Sequence, residues 1–195
     1  MDAAQHASST GLIEAARTDK KAFSALFRRH YDEIFRYCAR RLPDRAAAED
    51  VSSQVFLKMV KNFDRFMGDE AGFRSWLFRI ACNEVNSFYR KNARHQSALD
   101  GVRRESPDPT TLPEEPDDEE NQKKIDFLKN AITTLKPEHQ DIITLRYFEG
   151  LNSEQIGEVL ELNPATVRSR LSRSLKLLKK EYRLHQQETA GAMPF

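Results

Sequence analysis

The chain has 195 residues, 39% hydrophobic and 31% charged, a balance that allows one or two globular domains, each with a core of its own. Its formal net charge of +1 averages two extremes: residues 105–120 hold eight acids and no Lys or Arg, whereas 168–183 hold seven basic residues and one acid, Glu181. No run approaches the length of a bilayer span, MDAAQHASSTG lacks the order of a secretory signal, and Cys38 and Cys82 have no CxxC companion; membrane insertion, a disulfide framework and a zinc site are argued against, and a cytoplasmic location is expected.

Glycine is scarce, at seven residues, and no stretch alternates Val, Ile and Thr as a half-buried strand would, so the expected fold is all-α. Residues 1–19 read as an N-terminal tail. Beyond it, Phe23, Leu26, Phe27, His30, Tyr31, Ile34, Phe35 and Cys38 recur at helical spacing up to Leu42-Pro43. The segment AAAEDVSSQVFLKMVKNFDRF predicts a second helix with Val51, Val55, Phe56, Met59 and Val60 on its apolar side, broken between Met67 and Gly72. A third run, FRSWLFRIACNEVNSFYRKNARH, puts Phe73, Trp76, Leu77, Ile80, Ala81 and Val85 inward, while Arg74, Arg79, Arg90, Lys91 and Arg94 supply positive charge. Helices of this number and length predict a small bundle over residues 20–95.

Residues 96–121 carry four prolines, many acids and small polar side chains, a composition that predicts a flexible acidic linker. Helical periodicity returns at Lys123 with Ile125, Leu128, Ile132 and Leu135, opening a second domain over 122–183 that precedes a tail at 184–195. KPEHQDIITLRYFEG offers Pro137 at a helix start and Gly150 as a stop. In LNSEQIGEVLEL, Asn152 and Gln155 have the spacing of a capping box. A short turn leads to NPATVRSRLSRSLKLLKK, where Asn163 can cap and Pro164 takes the first helical position, at which its missing N–H costs nothing. Short helix, tight turn and basic helix make a helix-turn-helix. Its second helix is expected to enter the major groove, with Arg168 and Arg173 as candidate guanine or phosphate contacts and Ala165, Thr166 and Ser169 small enough for close approach.

The segment LKPEHQDIITLRYFEGLNSEQIGEVLELNPATVRSRLSRSLKLLKK resembles region 4 of the sigma-70 superfamily, in the form found in extracytoplasmic function sigma factors. FRRHYDEIFRYCARRL, AEDVSSQVFLKMVKNFDRF and FRSWLFRIACNEVNSFYRKNAR are similar to successive parts of region 2, in the right order, so the resemblance spans about residues 20–182. It implies a transcription initiation factor that binds bacterial core RNA polymerase and directs it to promoter DNA. The −35 element would be read as duplex through the face from Pro164 to Arg173, and the −10 element as opened DNA. The resemblance also implies a pocket for an extruded base in the loop from Phe66 and Met67 to Phe73, together with Asn83, with Arg74, Arg79, Arg90, Lys91 and Arg94 following phosphates. For Trp76 core packing is the favoured reading.

The same resemblance gives Glu49, Asp50, Gln54, Phe56 and Leu57 as a polymerase-binding surface. The family has a hydrophobic residue where this chain has Ser52 and a Gln-Glu pair where it has Ser53-Gln54, so one acid is missing; neutral variation is one reading, and phosphorylation of Ser52 or Ser53 by a Ser/Thr kinase, restoring the charge, is the other. An anti-sigma factor is another expected partner. The turn residues Glu161-Leu162 replace a frequent glycine. The five histidines are scattered and no HExxH, P-loop or nucleophile elbow occurs, so no catalysis, metal or cofactor is expected. Two other classes stay open from sequence: a regulator that binds duplex DNA without polymerase, and a scaffold whose basic faces bind acidic proteins.

Overall fold

The computed structural model of the chain describes residues 11–98, 127–128 and 130–191. Every regular element among the described residues is helical. A first unit holds α1 (residues 11–16), α2 (Lys20–Arg41), α3 (Arg45–Asn62), a 3-10 turn (Phe63–Arg65) and α4 (Glu70–Ala98). A second holds α5 (residues 127–128 and 130–133), α6 (Pro137–Ile143) running on into a π-helical turn (Thr144–Phe148), α7 (Ser153–Leu160) and α8 (Pro164–Gly191).

Aspartates set the starts of the first unit's helices. Asp19 accepts from the Lys21 amide at 2.8 Å, Asp44 from that of Ala47 at 2.7 Å, and Asp69 from that of Gly72 at 2.8 Å, each satisfying an amide that has no partner inside its helix. Leu26, Ile34, Cys38, Val55, Met59, Leu77, Phe78 and Val85 are buried between α2, α3 and α4. An aromatic cluster closes one end of this core, with Phe73 edge-on to Phe63 at 5.9 Å and to Phe66 at 5.3 Å.

Residues 11–16 depart from the predicted tail: they are helical and bury Ile13 and Ala16. The predicted boundary at 95 is also passed, since α4 continues to Ala98, and α8 runs beyond 183 to Gly191. Residues 99–121 of the predicted linker, and its acidic stretch with them, lie outside the described residues.

The two units share a core. Ile142, Leu145, Leu151, Ile156, Val159 and Val167 pack into the same apolar cluster as the buried residues of α2 to α4, with α7 lying against α4. A smaller cluster of Ala131, Ile132, Leu135, Ile143 and Leu178 holds α5, α6 and α8 together.

Candidate nucleic-acid interface

The helix-turn-helix is built by local chemistry. Asn152 Oδ1 accepts from the Gln155 amide at 2.8 Å while Gln155 Oε1 accepts from the Asn152 amide at 2.9 Å, a complete capping box at the start of α7. At its other end Glu161 adopts the left-handed conformation, φ 56° and ψ 45°, and the Leu162 amide returns to the Gly157 carbonyl at 2.9 Å. That return brings the carbonyl of Leu162 so near that a Cβ at position 157 would lie 2.6 Å from it, so only glycine fits. Asn163 Oδ1 then accepts from the Ala165 amide at 2.8 Å and starts α8.

Val167, Ser174 and Leu178 turn α8 inward. Ala165, Arg168, Ser169 and Arg173 are exposed, with Pro164 and Thr166 half-buried beside them. Arg170, by contrast, is tied to α6 through Glu138 at 3.5 Å. The first turns of α8 therefore offer small side chains flanked by two guanidinium groups that point away from the core.

In the first unit, the groups expected around the opened strand are divided. Phe66 is half-buried, its ring 5.2 Å from Trp76, and Met67 is 86% exposed. Asn83 is exposed, two helical turns along α4 from Trp76, and Arg90, Lys91 and Arg94 are exposed further on. Phe73 is corrected: its side chain is fully buried against His30, Phe63, Phe66 and Trp76, so it belongs to the core of the unit rather than to its surface. A groove of about 270 Å³ beside Phe66 and Trp76 is also lined by Lys58, Asn62, Arg65 and Ile80. Lys58, Asn62 and Arg65 were not singled out from sequence, although their four- and three-residue spacing is a readable polar stripe.

Arg74 and Arg79 are engaged by the second unit. Arg74 donates to Glu33 Oε1 at 2.5 Å and to the Glu149 carbonyl at 2.7 Å. Arg79 donates twice to the Glu158 carbonyl, at 3.1 and 2.5 Å, and its guanidinium lies 3.3 Å from the Glu161 carboxylate. Burial works against the Glu33 charge, but hydrogen bonds from His30 and Arg74 hold its carboxyl below the usual range.

On α3, Glu49, Asp50, Gln54 and Leu57 are exposed, as is Ser53; Leu57 is 46% exposed. Two expected residues are corrected here. Phe56 and Ser52 lie on the inner face with Val51, Val55 and Met59, Phe56 at 4% and Ser52 at 0% exposure. Neither side chain is offered on the outer face of α3.

Between the units sits a buried polar network that periodicity could not reveal. Asp141 Oδ1 accepts from Arg41 Nε at 3.1 Å and Nη2 at 2.9 Å and from the Tyr37 hydroxyl at 3.0 Å, while Asn86 reaches Oδ2 at 3.4 Å. The Tyr37 hydroxyl also lies 3.0 Å from Cys82 Sγ, and Arg41 donates to Gln140. Burial drives the Tyr37 and Cys82 acidities well down, so both stay protonated, as does Cys38, pushed up to about 11. Nearby, Arg40 pairs with Glu149 at 3.0 Å and lies over the Phe148 ring at 4.9 Å. Burial pushes the Glu149 carboxyl up to about 7 despite the pull of Arg40. Among the described residues no cluster suits a metal ion and no helix is long and apolar enough to cross a membrane.

The Sigma-70 region 2 family matches residues 26–95 and the Sigma-70 region 4 family residues 128–178. The chain is 30% identical over 160 residues to the RNA polymerase sigma factor CarQ of Myxococcus xanthus, covering 81% of this chain and 87% of that one. It is 30% identical over 162 residues to the ECF RNA polymerase sigma-E factor of Escherichia coli K12, covering 80% and 84%. Similarity to the sigma factor YlaC of Bacillus subtilis is 29% over 155 residues, covering 80% and 88%. Among solved structures, the fold resembles the sigma factor RpoE of Bartonella quintana, crystallised with the anti-sigma factor NepR, at a TM-score of 0.70 and 24% identity over 84% of this chain and 98% of that one. CnrH, solved with the cytosolic domain of CnrY, gives 0.66 at 20% identity over 90% and 97%.

Proposed function

Because the chain belongs to the extracytoplasmic function sigma factors of the sigma-70 superfamily and directs RNA polymerase to promoters, we propose that its two helical units divide promoter reading between named side chains. Arg168 and Arg173 donate to guanine edges or phosphates of the −35 duplex, while Pro164, Ala165, Thr166 and Ser169 let α8 approach the bases. A planar guanidinium supports this role because it can give two parallel hydrogen bonds to guanine O6 and N7. Phe66, Met67 and Asn83 receive an unstacked base of the −10 element, and Arg90, Lys91 and Arg94 follow its strand, joined by Arg74 and Arg79. Glu49, Asp50, Gln54 and Leu57 form the face of α3 that meets core polymerase, with two acids toward its start and an exposed leucine about two turns further on. The chain does no bond chemistry itself, since the polymerase supplies it, and it works in the cytoplasm.

The observation that carries this reading is the exposed first face of α8 beyond a fully capped turn. It is tested by mixing the purified chain with bacterial core polymerase and a genomic library. Transcripts starting at sites that share two short elements at fixed spacing support the reading; duplex binding without a polymerase complex would replace it by an ordinary helix-turn-helix regulator.

Control by an anti-sigma factor is proposed by analogy with the complex in which the structurally similar RpoE was solved. Of the two serines, Ser53 alone is exposed, so a kinase that adds charge to the polymerase face acts there. A Ser53→Ala chain with unchanged polymerase affinity and unchanged transcription in cells would end that idea.

A further inference from the structure

Arg17 lies just after α1, in a stretch whose sequence reads as a tail, yet it reaches across the first unit to the loop that the proposed reading assigns to the −10 base. Its Nη2 donates to the Phe66 carbonyl at 2.5 Å and its Nη1 to the Asp64 carbonyl at 3.3 Å. The guanidinium stands over the Phe63 ring at 5.7 Å, and Glu14 lies 3.4 Å from its Nε. Ile13 and Ala16, buried in the core, fix the short helix from which this arm extends.

We propose that Arg17 is a positioning residue for capture of the extruded −10 base, an inference that rests on the reading of the Phe66 loop given above. The 3-10 turn ends at Arg65, and the carbonyls at such an end have no donor further along the helix. Arg17 supplies one such donor, to Asp64, and from the same rigid fork a second to the carbonyl of Phe66 just past the turn. The chain then leaves Phe66 in an extended conformation, φ −70° and ψ 129°, which sends Met67 outward. The Phe66 ring is confined by Trp76 at 5.2 Å and Phe73 at 5.3 Å, and Gly68 leaves it room, because a Cβ there would lie 3.0 Å from the ring edge.

Both the backbone and the ring of Phe66 are thus fixed before DNA arrives. A base that leaves the stack has already given up stacking free energy. A loop that had to be ordered at the same moment would give up more, and pre-ordering removes that loss. Lysine cannot replace arginine here, because an ammonium group lacks the planar fork that serves two carbonyls at once.

The test uses holoenzyme assembled from the full chain and bacterial core polymerase. The probe is a fork-junction DNA from a promoter selected as above, with its −10 non-template strand single and either intact or carrying one abasic site at successive positions. Wild type loses affinity about tenfold when the captured base is missing. Arg17→Ala, Arg17→Lys and Phe66→Ala are each expected to bind the intact probe about tenfold more weakly and to lose that sensitivity at the same position. Binding to a −35 duplex and assembly with polymerase should not change. If Phe66→Ala loses the sensitivity while both Arg17 variants keep it, the role of Arg17 is overturned and the loop reading stands. If Phe66→Ala keeps it, the loop reading fails and the inference with it. Arg17 variants that also lose polymerase assembly and −35 binding would make the residue a part of the fold only; should the alanine variant alone unfold, the lysine variant decides.

Discussion

At the scale of single residues, Phe73 and Arg168 make opposite predictions although both were expected to touch DNA. Phe73 is enclosed by four rings, so Phe73→Ala empties the end of the first unit's core and should cost about 3–5 kcal/mol in denaturant unfolding. Arg168 is exposed and its ion pair with Glu154, at 3.9 Å, is long. Arg168→Ala should leave stability within about 0.5 kcal/mol and weaken −35 duplex binding about tenfold to a hundredfold. The error at Phe73, Phe56 and Ser52 has a physical source. Each was assigned by its place in a family pattern, whereas helical spacing already put Phe56 on one stripe with Val51, Val55 and Met59, and Ser52 lies beside Val51 on that stripe. Arg17 was missed for another reason: a six-residue helix with two buried side chains is too short to show a period.

At the scale of elements, α7, its turn and the start of α8 were the most legible parts, because their signals are local. Asn152, Gln155, Asn163 and Pro164 act within three residues of themselves, and each capping bond they foretell is present. The turn shows what Glu161 costs. A non-glycine residue at φ 56° is strained, and its exposed pairing with Arg79 returns little. Glu161→Gly is therefore expected to stabilise the chain by about 0.5–1 kcal/mol, seen as a rise of a few degrees in the thermal midpoint. A fall would mean that the Arg79 contact outweighs the backbone strain.

At the scale of the molecule, what sequence could not show is how the units meet, since Arg41 and Asp141 pair across 100 residues and no periodicity links them. Glu149 makes that contact sensitive to pH. Its neighbours are Arg40, Arg74, Arg36 and Glu33, and burial raises its carboxyl from the ordinary 4.5 to about 7. A raised acid stabilises the packed arrangement fully below its ordinary value and loses that contribution as pH climbs through the raised one. The units should loosen between about pH 4.5 and pH 7, read as a growing radius of gyration in small-angle scattering, and Glu149→Gln should flatten the profile. Asp141→Ala goes further, because it leaves the Arg41 guanidinium buried without its carboxylate, a loss of about 3–5 kcal/mol that separation of the units relieves. Separation frees Arg74 and Arg79 from the carbonyls of Glu149 and Glu158. The Glu158 carbonyl lies near the end of α7, where a helix carries partial negative charge, and together with the Glu149 carbonyl and the Glu33 and Glu161 carboxylates it holds two of the chain's own cations where phosphate would otherwise sit. Cations so occupied displace no counterions when generic DNA is met. The logarithm of single-strand affinity should then fall with the logarithm of salt less steeply for wild type than for Asp141→Ala, by roughly 0.7 in slope, because Arg79 is released while Arg74 keeps its Glu33 carboxylate within the first unit. The packed chain would ignore most of the genome it passes.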